Sequence, residues 1–225
     1  MKKTKKKLIY FNLFCYNIMR YTGPKFKLCR REQTNIYGTE KYNIKKNRAL
    51  PGQHGNSMHR YSEYGKLLRN KQLLKRLYGL SERQFVNIVT KTAAKFSKNN
   101  SISHDEALFQ FLESRADAII YRSGIAKTIT QARQMVTHGH FLLNGRKHNI
   151  PSSFMKQGDI ITLKEKLNNS SLYTQVSGKD TNIKVPSWIK VDKNKHQIEM
   201  LKDPRFGEIS VPADLIKVIE YYARA

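Results

Sequence analysis

Few residues in this chain are spaced for covalent chemistry. His138 and His140 stand two apart across Gly139, a spacing that a metal could use, but no cysteine or acidic residue lies beside them in the sequence. Ordinary binding or core contacts are therefore the better reading of the pair. Cys15 and Cys29, the only two cysteines, cannot supply a four-thiolate zinc site or a disulfide framework and are read as free thiols. There is no Gly-rich phosphate loop of the Walker or dinucleotide type. No Ser-His-Asp or Cys-His set is visible in local spacing, and none of the 17 acidic residues stands out as a general base. The expectation is no catalytic residue, no cofactor and no metal.

The residues that are spaced for chemistry are cations. Arg115 and Arg122 fall on one expected helix, Arg133 on the next, and Arg146 with Lys147 just after an expected hairpin turn. A guanidinium can hold a phosphate through two parallel hydrogen bonds, so a cluster of them fixes register as well as adding charge. Lys71 and Lys75 are one helical turn apart and share a face. A solvated face is the plain reading of that pair, and the charge balance of the chain tips it toward phosphate. Forty-two Lys and Arg oppose 17 Asp and Glu, a formal charge of +25, and residues 1–100 hold 24 basic side chains against 4 acidic ones. Such a molecule repels itself and is most stable beside a polyanion, nucleic acid being the obvious one. Twelve tyrosines add rings able to stack on unpaired bases, although any single one serves a core equally well.

The elements that must position these groups can be read from periodicity and caps. Lys2 to Lys7 followed by the apolar run Leu8 to Ile18 imitates a signal peptide. The run contains Asn12 and Asn17, is too short to span a bilayer and leads to no small-residue cleavage site, so it reads as a retained extension. No other stretch is apolar enough to cross a membrane. From Met19 to about Tyr61 the chain is basic and aperiodic, to be ordered by a partner. Ser62 caps an expected helix ending at Gly79, and Ser81 with Gln84 forms a capping box for a second helix devoted mainly to packing. A similar box, Ser103 with Glu106, opens a third helix running past Leu112 and Ile119 to Gly124. A short helix capped by Thr130 stops at Gly139. Asn144-Gly145 then tolerates the positive φ angles of a type I′ hairpin, and Gly158-Asp159 precedes the strand IITL. After a polar linker beyond Glu165, VPSWIKVD reads as a strand, and Pro212 starts a last helix through Ile216, Ile219 and Tyr222. No internal repeat is present, and 39% hydrophobic residues suffice for a core.

The stretch SRADAIIYRSGIAKTITQARQMVTHGHFLLNGRKHNIPS, followed by GDIITL, closely resembles the small RNA-binding module named after ribosomal protein four. That module also accompanies pseudouridine synthases, a heat-shock RNA binder and some tRNA synthetases. MRYTGPKFKLCRRE, PGQHG, SEYGKLLRNKQLLKRLYGLSERQF, VPSWIKVD and VIEYYAR, in the same order, resemble the bacterial-type small-subunit ribosomal protein four family over nearly everything after residue 18.

The resemblance implies an α+β fold. A mostly helical first domain (19–112) is completed by the returning segment 176–225, a small module (113–175) with two helices on a small sheet is inserted between them, and residues 1–18 are an extension. It implies a structural, non-enzymatic constituent of the small subunit that binds a multi-helix junction and nucleates assembly of the five-prime domain of the rRNA. Partners would be ribosomal proteins three and five and the mRNA where it enters the subunit, with decoding accuracy influenced through protein five. Carried onto this chain, rRNA contact falls on Arg20, Lys25, Lys27, Arg30, Arg31, Arg60, Lys71, Lys75, Arg76 and Arg83, and on Arg115, Arg133 and Arg146 in the module. Gln53, Tyr64 and Tyr222 fall on the protein-five side. Some family members hold zinc through four cysteines; here only Cys29 lies in that region, so no zinc is expected. The loop after PGQHG is often basic in the family, and here only Arg60 retains an mRNA-facing role. Richness in Lys, Asn, Ile and Tyr favours an organellar ribosome over a bacterial one. The rival readings are an RNA-modifying enzyme, which would need a catalytic aspartate in a recognisable setting, and a free regulatory RNA binder, which leaves the first and last motifs unexplained.

Overall fold

The computed structural model describes residues 21, 23–38, 41, 49–57, 60–98, 102–168, 170, 173, 185–192 and 195–224. The chain folds as α+β: among the described residues, seven α-helices and a five-stranded antiparallel sheet.

Helix α1 (Lys25–Glu32) ends on Gln33 in the left-handed region. Helix α2 (Glu63–Leu77) starts where Ser62 Oγ accepts from the Gly65 amide at 3.2 Å, satisfying one of the amides a helix start leaves orphaned. It buries Leu67, Leu73 and Leu74 and stops at Gly79, whose φ of +59° suits glycine. Helix α3 (Glu82–Lys98) opens on a reciprocal capping box: the Ser81 amide donates to Gln84 and the Gln84 amide to Ser81.

The expected third helix is two. Helix α4 (His104–Glu113) and helix α5 (Ala116–Arg122) are separated at Ser114 and Arg115, where Arg115 is extended and bridges to Phe154. The Met155 amide donates to the Ser114 carbonyl and the Ala116 amide to the Ser153 carbonyl. A segment forty residues downstream thus takes backbone bonds that a continuous helix would need, and no local pattern announces it. The Ser103 box also stays open, since the Ser103 side chain makes no capping bond. Helix α6 (Ile129–Thr137) is capped by Thr128 rather than Thr130, through the Gln131 amide.

Strands β1 (Phe141–Leu143) and β2 (Arg146–His148) form the hairpin, with Asn144 and Gly145 both at positive φ (+48° and +78°) as a type I′ turn requires. Strand β3 (Ile160–Leu163) pairs with β1, and β4 (Ile189–Asp192) with β5 (Gln197–Met200), giving the order β2-β1-β3-β5-β4. The polar, short β5 was outside the sequence expectation. The expected division returned all of 176–225 to the first domain, whereas β4 and β5 extend the small sheet, so the sheet crosses that boundary. Helix α7 (Leu215–Arg224) is the part that packs along α2 and α4. It begins three residues after Pro212, where the Asp214 carboxylate accepts from the Ile216 and Lys217 amides.

One continuous cluster of buried side chains runs from Leu28 in α1 to Val218 in α7. Trp188, before β4, meets Phe109 of α4 edge to face with ring centres 6.1 Å apart, which ties the sheet to the helices. No helix among the described residues is long and apolar enough to cross a membrane.

Candidate nucleic-acid interface

Four carboxylates at helix junctions hold seven of the Lys and Arg side chains. Glu32, at the end of α1, receives Arg69 at 3.2 Å and Arg76 from α2. Glu82, at the start of α3, receives Lys71 at 2.6 Å and Lys75 at 2.8 Å, with the Tyr222 hydroxyl of α7 donating at 3.0 Å. Glu113 of α4 is held by Arg122 at 2.6 Å and by the buried Tyr78 hydroxyl at 2.6 Å. Asp117 of α5 takes two bonds from Arg115, at 3.0 and 2.7 Å, and an ion pair from Arg133 of α6 at 3.2 Å.

The protonation of these groups follows from their surroundings. Burial pushes the Glu32 carboxyl above its usual range despite the opposing pull of Arg76 and Arg69. For Glu82 burial acts in the same sense, but hydrogen bonds from Lys71 and Lys75 outweigh it and the carboxyl titrates low. Burial, with Glu113 adding to it, raises Tyr78 well above the phenol range.

This arrangement sorts the residues singled out from sequence. Lys71 is 3% exposed, with its ammonium on Glu82 and 4.9 Å from the Tyr221 ring centre. A solvated cation facing phosphate does not fit that position. Lys71 and Lys75 do share a face, but the face looks inward at α3 and α7. Arg115, 2% exposed, is likewise spent on Asp117. Arg133 also donates to the Gly79 carbonyl at 2.5 Å, joining α6 to the α2–α3 turn. Arg76 is engaged by Glu32. Arg30 donates from Nε to the Ala49 carbonyl (2.8 Å) and from Nη2 to the Leu50 carbonyl (3.1 Å), holding the turn that contains Pro51.

Lys25, Lys27, Arg31, Arg60, Arg83 and Arg146 are exposed and have no carboxylate within ion-pair distance among the described residues. Lys25 and Lys27 project from α1, Arg83 from α3, and Arg146 with Lys147 from β2 beside the hairpin tip. Arg20 lies outside the described residues. Gln53 is exposed on the 49–57 turn, Tyr64 is 54% exposed, and Tyr222 is half-buried on Glu82. The Tyr64 and Tyr221 hydroxyls lie 3.3 Å apart. His138 and His140 meet each other edge to face, and His140 Nδ1 lies 2.7 Å from the Tyr173 hydroxyl. Burial, then His138 and Lys164, hold His140 below its usual range. No group of His, Cys, Asp and Glu able to hold a metal occurs among the described residues. Sequence reasoning gave α3 a packing role and passed over Lys91 and Lys95, which stand one turn apart on it.

The cationic helices are joined through one core to a small hairpin-bearing sheet. The model for the ribosomal protein S4/S9 N-terminal domain matches residues 20–113, and that for the S4 domain matches residues 114–161. The small ribosomal subunit protein uS4 of Thermotoga petrophila is 40% identical over 212 residues, covering 91% of this chain and 99% of its own. The same protein of Petrotoga mobilis is 40% identical over 215 residues, and that of Rubrobacter xylanophilus 38% over 205, with the same shares covered. The chain belongs to the family of small ribosomal subunit protein uS4. These relatives are ribosomal proteins, not enzymes.

Proposed function

We propose that this chain is a structural, rRNA-binding constituent of the small ribosomal subunit that binds a multi-helix junction early and nucleates assembly of the five-prime domain. The observation that carries this reading is the separation of its cations. Seven of them (Arg69, Lys71, Lys75, Arg76, Arg115, Arg122 and Arg133) sit on four junction carboxylates, while Lys25, Lys27, Arg31, Arg60, Arg83 and Arg146 have no such partner among the described residues. Carboxylate-bound cations rigidify the scaffold; cations left in water release counterions when they meet phosphates. The rRNA-facing set is then Lys25, Lys27, Arg31, Arg60, Arg83 and Arg146, with Arg20 from the sequence motif. Lys71, Lys75, Arg76, Arg115 and Arg133 position those groups, and Arg30 orders the turn that displays Gln53.

Contact with ribosomal protein five falls on Gln53, Tyr64 and Tyr222, the last acting through its neighbours because its own hydroxyl is engaged. Ribosomal protein three and the incoming mRNA are further partners, the mRNA through Arg60. The helical domain with its returning α7, and the module with its enlarged sheet, are the two RNA-binding parts. The organellar setting rests on the Lys, Asn, Ile and Tyr richness of the chain; the relatives reported above are bacterial.

Chemical probing of small-subunit rRNA with the purified protein tests the central reading. Protection of nucleotides at a helical junction of the five-prime domain is expected. Turnover of uridine without junction protection would overturn it.

A further inference from the structure

Lys91 and Lys95 are cations that neither the junction carboxylates nor the motifs account for. They lie one turn apart on α3, about 6 Å along its axis at 1.5 Å per residue. Lys91 Nζ lies 5.6 Å from the ring centre of Phe154, and Lys95 Nζ lies 5.3 Å from that of Phe111. The two rings meet edge to face with centres 5.3 Å apart. Lys91 is exposed and Lys95 half-buried, and neither has a carboxylate within ion-pair distance among the described residues. Instead of being neutralised, each ammonium is steadied over an aromatic face. That contact lowers the conformational cost of fixing a long side chain and leaves its charge available.

The position of the rings gives this pair a direction. Phe154 belongs to the segment that bridges to Arg115 between α4 and α5. Next to it, Ser153 Oγ lies 2.6 Å from His148 Nε2 at the end of β2, and β2 carries Arg146 and Lys147. A path of side chains therefore leads from α3 through Phe111 and Phe154 to the hairpin, and no acidic residue intervenes among those named. At the other end of α3, Arg83 is exposed two turns before Lys91.

We infer that Lys91 and Lys95 form a phosphate-binding rail that continues the hairpin surface along α3, so that one RNA backbone is followed from Arg146 across Phe154 to the helical domain. This rests on the rRNA-binding reading above and adds to it a site on an element whose periodicity speaks only of packing. The rail recognises phosphate charge and carries no base selectivity, because an ammonium over a ring offers a point charge and no planar fork.

The test is the salt dependence of binding to a transcript of small-subunit rRNA. Each phosphate contact contributes about 0.9 to the slope of log affinity against log salt on a duplex. The Lys91→Gln/Lys95→Gln double variant should lower that slope by about 2 and weaken binding about tenfold or more at moderate salt, while Lys91→Arg/Lys95→Arg retains both. Wild-type slope and affinity in the glutamine variant would overturn the inference. A measurement on the unaltered protein guards against misfolding of the variant: amine-reactive labelling with mass spectrometry should show Lys91 and Lys95 protected by the RNA, with exposed Lys66, which pairs with Glu63, serving as the reference. Equal labelling with and without RNA would also sink it. Arg146→Gln separates the two levels. If it weakens binding and the lysine variant does not, only the rail is wrong; if neither does, the rRNA-binding surface itself is misassigned.

Discussion

Glu82 takes hydrogen bonds from Lys71, Lys75 and Tyr222, so one carboxylate fastens α2, α3 and α7 together. Without Lys71 the carboxylate keeps its bonds from Lys75 and Tyr222, so the loss is that of one charge-assisted hydrogen bond, about 1.5–3 kcal/mol. Lys71→Gln should therefore lower unfolding free energy by about 2 kcal/mol in a denaturant titration while leaving the salt slope of RNA binding unchanged. A variant that is equally stable but has a shallower slope would return Lys71 to the phosphate-binding set. The titration of Glu82 supplies a pH dependence. Its folded value is depressed, so its stabilisation is fully present above the unfolded value, about 4.3 for a glutamate, and is lost as pH falls through the lower folded value. Glu32 has the opposite sign: its raised value favours the folded state when protonated, a contribution lost as pH rises through the folded value. Comparing wild type with Glu82→Gln should show a stability gap at pH 6 that narrows as pH falls below the ordinary glutamate value, about 4.3, and closes once the depressed folded value is passed. A gap independent of pH would remove the carboxylate charge from the explanation.

At the scale of elements, α6 and the α2–α3 turn are joined by Arg133, which reaches both Asp117 and the Gly79 carbonyl. Its guanidinium is drawn below its ordinary pKa by burial, with Asp117 acting against that. An arginine in this place orients the module against the helical domain. Arg133→Gln should weaken rRNA binding several-fold without changing the salt slope, whereas Arg146→Gln on the exposed hairpin should lower the slope by about 1. A slope that falls for Arg133→Gln would assign it a phosphate after all. The capping box at the start of α3 is a separate local contribution. Ser81→Ala removes the acceptor for the Gln84 amide and should cost about 1 kcal/mol, read from the denaturation midpoint. These boundaries illustrate what local pattern conveys. Ser62, Ser81 with Gln84, Gly79, Gly139 and Asn144-Gly145 act within a few residues of themselves, so their roles were legible. The break at Arg115 depends on Phe154, and the cap of α7 on Asp214 instead of Pro212; the first is a long-range pairing, and the second is a choice between neighbouring caps that packing on α2 decides.

For the whole molecule, the core that runs unbroken from α1 to α7 and the contact between Trp188 and Phe109 imply that module and helices unfold together. Heating should give coincident transitions by helix dichroism and by the fluorescence of Trp188, the only tryptophan; two separated transitions would show independent units. Adding rRNA at about a hundredfold over its Kd should stabilise the fold by about 2.7 kcal/mol, an effect that shrinks as salt is raised. By itself, the sequence determined the net charge, the class of partner, the caps at Ser62 and Ser81, the hairpin and the family, because composition, short-range spacing and ordered motifs carry those directly. Only the tertiary structure decided which cations are available. Charge balance cannot tell Lys71 from Lys91, since an ammonium becomes part of the scaffold or part of the surface according to whether a carboxylate from another helix reaches it, and that meeting is fixed by packing across the whole chain.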